Sequence, residues 1–172
     1  MDIPDALKRL TAEKADLIKA LLQDESKGVI VARVAFLDFL LAEVLAAYFC
    51  GPSRQPDFLD SVVSRLSFDG KISTLANLAL EGEAKNLRDE IVTAIRPMQQ
   101  LRNKAAYAAA LKTSEIDKLC ADKAKRDLLA DFPKAFEQSA AHVQNRLQEL
   151  VQLPGFAASA EPTAAPESGG IS

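Results

Sequence analysis

Arg102, Asn103 and Tyr107 stand in LRNKAAY, residues 101–107, a run that is otherwise apolar apart from Lys104. On a helix Asn103 and Tyr107 are four apart and share a face, while Arg102 points about 140° away from Tyr107 and joins them only through the length of its side chain. A guanidinium beside an amide and a phenol suits the grip of a phosphate: the planar fork donates two hydrogen bonds and the neutral donors complete the oxygens. The same guanidinium equally suits a buried carboxylate, with Asp38 and Glu43 as the acids in question. In that case Arg102→Ala should cost about 3 to 5 kcal/mol, because it strands a charge.

The rest of the sequence bounds these alternatives. A chain of 172 residues, 48% hydrophobic and 26% charged, can bury one ordinary core. Its net charge of −3 and pI near 5.3 leave room only for a local polyanion site. Two distant cysteines, Cys50 and Cys120, and one histidine, His142, cannot supply the converging ligands of a zinc site, so no metal and no cofactor is expected. The cysteines read as small buried apolar residues and His142 as a residue beside an apolar stripe. Few cysteines and no charged-then-apolar leader suggest a cytoplasmic protein.

The elements that must position the cluster read as helices throughout. Leu7, Leu10, Leu17, Ile18, Leu21 and Leu22 give a first amphipathic helix to about Gln23, and Ser26 offers a cap for the second. The stretch from Val29 to Cys50 is long enough to span a bilayer, but Arg33, Asp38 and Glu43 interrupt it, so a central bundle helix and no membrane partner are expected. Asp38 falls about 140° from both Arg33 and Glu43, so the three cannot share one solvated face and at least one should be partly buried and paired. Gly51-Pro52 stops the helix.

Two short helices should follow, separated at Asp69-Gly70, and Lys71 reads as a solvated lysine or a binding residue. From Glu83 to about Leu111 the apolar spacing is helical across Pro97, where a bend or break is expected. Ser114 with Asp117 resembles a capping box, and a last helix begins after Pro133 and ends at Pro154-Gly155. The expectation is an all-α single helical bundle of about six helices over residues 1–153. Residues 154–172, rich in Ala, Pro, Ser and Gly, read as a disordered tail.

VARVAFLDFLLAEVLAAYF, then SFDGKISTLANLAL, then a helix ending LRNKAAYA resemble the HEPN superfamily of helical bundles, and within it proteins similar to the mannitol-operon repressor. The resemblance covers roughly residues 28 to 110. In the family the last piece reads Arg-Asn, two or three variable residues, then Ala-His. Many members are metal-independent ribonucleases of toxin or defence type, whose Arg and His meet across a homodimer interface. Carried over, Arg102 and Asn103 match the motif and Tyr107 stands in place of the histidine.

A phenol is a poorer proton acceptor than an imidazole near neutral pH. The resemblance therefore implies a non-catalytic or weakly active regulatory module that binds nucleic acid, such as RNA, or a protein partner. It also implies a homodimer formed through the helix that carries LRNKAAY. One alternative is a ribonuclease in which Arg102 and Tyr107 are catalytic. Another is a purely structural or interaction protein with Arg102 locked in the core.

Overall fold

The structure, a computed structural model, describes residues 12–107 and 112–156. The helices are α1 (Ala12–Leu22), α2 (Asp24–Phe49), α3 (Gln55–Ser61), α4 (Phe68–Ala76), α5 (Gly82–Ala106), α6 (Thr113–Ala121), α7 (Lys123–Ala130) and α8 (Lys134–Gln152). Short 3-10 turns at Pro52–Arg54 and Val63–Arg65 flank α3, and the described residues contain no strand. The all-α bundle is thus present. Asp122 subdivides its later part by accepting a hydrogen bond from the Lys125 N–H at 3.3 Å, which starts a separate α7.

α2, α5 and α8 pack against one another, and α4 closes the α2–α5 side. The core is the meeting of one apolar stripe from each: Leu37, Leu41 and Leu45; Ile91, Ile95, Met98 and Leu101; Phe136, Val143, Leu147 and Leu150; Ile72 and Leu75. No helix among the described residues is long and apolar enough to cross a membrane.

Two of the three charges that interrupt the apolar run of α2 reach two different neighbours. Arg33 pairs with Glu137 of α8 at 3.1 Å, and Asp38 pairs with Lys71 of α4 at 2.6 Å. Glu43 is exposed and has no ion-pair partner among the described residues. Lys71 is therefore not a solvated lysine: it is 7% exposed, and its ammonium is engaged by a half-buried carboxylate. The other buried cation among the described residues is Arg88, which donates to the Leu78 carbonyl at 2.5 Å and to Asp89 at 2.8 and 2.9 Å, tying the turn before α5 to its second helical turn. Gly82, at φ +55, makes the entry into α5 in a backbone region that other residues avoid.

Several boundaries differ from the sequence expectation, each for a local reason. α2 begins at Asp24, so Ser26 lies inside its first turn, buried near the Gln23 side chain at 3.5 Å. The break before α4 falls at Leu66-Ser67, because the Ser67 hydroxyl accepts from the Gly70 N–H at 3.1 Å and draws Asp69-Gly70 into the helix. α6 starts after Lys112, whose N–H is taken by Glu115 at 3.2 Å, and not at Ser114 with Asp117.

α5 runs unbroken through Pro97. Proline removes the bond to the Thr93 carbonyl at a cost of about 3 kcal/mol in an ordinary helix interior. Ile91 and Ile95 before it, with Met98 and Leu101 after it, are fully buried and hold both halves to the same core. The body also extends past residue 153: Phe156 is 1% exposed and packs on Tyr48 with ring centroids 5.4 Å apart. The remainder of the expected tail, 157–172, lies outside the described residues, as do Leu7 and Leu10 of the first expected helix and residues 108–111 at the end of the motif helix.

Removing one member of the Lys71–Asp38 pair leaves a buried ammonium without its carboxylate. Asp38→Ala should lower stability by about 2 kcal/mol, less than a fully buried pair would lose because Asp38 reaches solvent. Lys71→Met should be neutral or stabilising. Urea denaturation at neutral pH measures both.

Candidate functional site

The last two turns of α5 present LRNKAA with Leu101 and Ala105 inward. Leu101 and Ala105 are buried, Lys104 is half-buried, and Arg102, Asn103 and Ala106 are exposed. Tyr107 follows the helix, 72% exposed, with its backbone N–H bonded to the Lys104 carbonyl at 3.1 Å. The phenol is thus neither a core nor a stacked ring. Arg102 has no hydrogen-bond or ion-pair partner among the described residues.

This corrects the buried-acid account of Arg102. Asp38 is held by Lys71, Glu43 is solvated, and the buried cations among the described residues are Lys71 and Arg88. Asp38 and Glu43 therefore do not support Arg102. Lys71 belongs to the α2–α4 seam and not to the motif. His142 lies on α8, where its Nε2 sits 2.9 Å from Glu90, a carboxylate that also accepts from Arg146 at 3.1 Å. The described residues contain no cluster of three or more metal-ligating side chains.

Beside the motif, a cleft of about 350 Å³ opens between α5 and the α6–α7 corner, lined by Gln100, Asn103, Lys104, Glu115, Lys118 and Lys125 around Leu119. Lys104 bonds Glu115, and Lys125 bonds Asp122 at 2.6 Å. The Lys104 ammonium, with the Lys112 N–H second, holds the Glu115 carboxyl below the usual carboxylate range. Lys125 does the same for Asp122. Lys118 has no acidic partner among the described residues. The lining therefore carries three ammoniums against one carboxylate, with two side-chain amides facing the same space.

The positive character continues along α5. Residues 91–114 contain no Asp or Glu but do contain Arg96, Arg102, Lys104 and Lys112. Arg96 is exposed and, like Arg102, has no acidic partner among the described residues. Sequence reasoning from the motif alone missed Arg96 and Lys118. The acid-free stretch was the available signal for Arg96, whereas Lys118 reaches the cleft only because α6 folds back on α5. The arrangement can grip anionic oxygens through charge and amide donors. No protein-family model, curated protein or solved structure matches this chain.

Since Arg102 is solvated and unpaired, Arg102→Ala should leave the denaturation midpoint within about 0.5 kcal/mol of the natural protein, not 3 to 5 kcal/mol below it. Glu115 and Asp122 titrate below their unfolded values. Their contribution to stability is therefore fully present above the ordinary carboxylate range and is lost as pH falls through the lowered folded values. Lys104→Met should move Glu115 upward and leave Asp122 where it is, which a carbon-detected NMR titration of both carboxyls reads directly.

Proposed function

We propose that this protein is a non-catalytic regulatory module that binds single-stranded RNA along the C-terminal half of α5. The observation that carries the reading is a pair of exposed arginines, Arg96 and Arg102, without acidic partners among the described residues, on a 24-residue stretch free of acids in a chain of net charge −3. Most other described cations are neutralised by a neighbouring carboxylate, as in Lys14–Asp117, Lys85–Asp89 and Lys123–Asp127. Arg54 and Arg65 also lack a partner, but they stand among Asp57, Asp60 and Asp69. The favourable interaction of cations with a helix C-terminus accounts for Lys104 in the last turn and not for Arg96, about two turns earlier.

The resemblance of LRNKAAY to the HEPN motif supplies the choice of RNA, and the cleft beside Asn103 offers amide donors to a base or phosphate. The ribonuclease reading keeps one observation in its favour: Tyr107 is exposed one turn from Asn103. A phenol in water is a weak general base, so binding is the better account.

Fluorescence anisotropy with labelled single-stranded RNA in chelator, across a salt series, tests this. Binding should weaken with salt, and Arg96→Ala and Arg102→Ala should each reduce the slope of log K against log salt by about 0.7. The RNA should remain intact. Salt-independent binding, or none at low salt, contradicts the proposal. Cleavage that vanishes in Arg102→Ala and rises in Tyr107→His would instead establish the ribonuclease.

A further inference from the structure

α2 carries apolar side chains on every side, yet the fold covers only part of it. Gly28, Val31, Ala32, Ala35, Phe36 and Phe39 span an arc of about 140° on the helix, and all six are exposed. Val31 is 47% exposed, Phe36 42% and Phe39 59%, and a Cβ placed on Gly28 would meet nothing within 4 Å. The arc is bounded on one side by α8, through Arg33–Glu137, and on the other by α4, through Asp38–Lys71. Between those two seams no described element lies on it.

We propose that this arc is where a second copy of the chain docks, α2 against α2 and antiparallel about a two-fold axis. The arc is complementary to itself. Its small residues occupy the N-terminal half and its phenylalanines the C-terminal half. An antiparallel pairing with Ala35 beside the partner's Phe36 sets Phe39 over the partner's Ala32 and Glu43 over the partner's Gly28. Each large side chain then meets a notch left by a small one, and the two-fold axis makes every such contact twice.

The area allows the same occupant. Taking an aromatic side chain as about 200 Å², the two phenylalanines together leave roughly one whole ring in water, and the six residues leave on the order of 350 Å². Two copies bury about 700 Å² through these residues, below the roughly 1,200 Å² of stable specific interfaces, so the dimer is a weak and reversible one. The chain's own ends fit less well. Residues 157–172 contain one large apolar side chain, Ile171. Residues 1–11 precede α1, whose first turn is anchored to α6 by Lys14–Asp117 at 2.7 Å.

α5 packs on the buried side of α2. A dimer through the arc therefore holds two separate cation faces on its outside, and neither face is completed by the partner. This differs from a homodimer formed through the LRNKAAY helix, and it stands whether or not RNA is the ligand.

Sedimentation equilibrium of the full chain over a concentration series is the test. It should show a reversible monomer–dimer equilibrium. Phe39→Lys and Phe36→Glu should each weaken it at least about tenfold while the circular-dichroism melt stays that of the natural protein. Ala35→Cys, in a chain also carrying Cys50→Ser and Cys120→Ser, should form a covalent dimer on oxidation. A strict monomer at the highest concentration would overturn the proposal, as would a dimer untouched by both phenylalanine variants. Dimerisation that appears only after truncation behind Phe156 would assign the arc to the tail instead, and would equally overturn it.

Discussion

A helix with apolar side chains on every side cannot stand in water alone, and α2 is such a helix from Val29 to Phe49, interrupted only by Arg33, Asp38 and Glu43. The rest of the bundle is arranged by the need to cover it. α1, α4, α5 and α8 each bring one apolar stripe to it, and each thereby turns a polar face outward. The three charges of α2 cannot share one solvated side, so Arg33 and Asp38 become the bolts that fix α8 and α4 at their azimuths. Asp38–Lys71 is the more consequential of the two. A lysine buried that far is tolerated only with a carboxylate in contact, so the pair specifies where α4 sits even if it adds little net stability.

The same demand frees α5 to carry charge. Its inward stripe, Leu87 through Ala105, is enough to hold it against α2 and α8, so its outer face is under no packing constraint. In a chain with more acids than bases, surface cations tend to acquire carboxylate neighbours, and here most do. The acid-free half of α5 keeps Arg96 and Arg102 unneutralised, and the fold of α6 and α7 adds Lys118 and Lys125 beside Asn103. A local excess of positive charge on an acidic protein limits long-range attraction of anions to that stretch.

Helical periodicity made the bundle legible, because Leu, Ile and Ala recur at spacings of three and four and Gly51-Pro52 and Pro154-Gly155 punctuate them. Helix starts were harder: a serine such as Ser67 caps only if its hydroxyl reaches the third N–H, and Ser26, of the same type, does not. Pro97 misled because its local cost is real but is outweighed by four fully buried neighbours. Phe156 was hidden behind two turn residues in a segment of low-complexity composition. Ion pairs between residues 33 and 104 positions apart, Asp38–Lys71 and Arg33–Glu137, leave no mark in a single sequence. For that reason the buried partner of Asp38 was sought at Arg102 and found at Lys71. Arg102 and Asn103 were visible as types, and the buried Leu101 and Ala105 on either side explain why they face water.

The central claim is that the acid-free half of α5 is an anion-binding face, and residue-resolved NMR with a short single-stranded RNA tests it most directly. The account predicts that the side-chain N–H signals of Arg96, Arg102 and Asn103 shift together and saturably, that added salt reverses the shifts, and that the Arg33 and Arg146 signals stay fixed in their ion pairs. Shifts centred on α8 or α4 instead, or unmoved Arg96 and Arg102 signals at low salt, would contradict it.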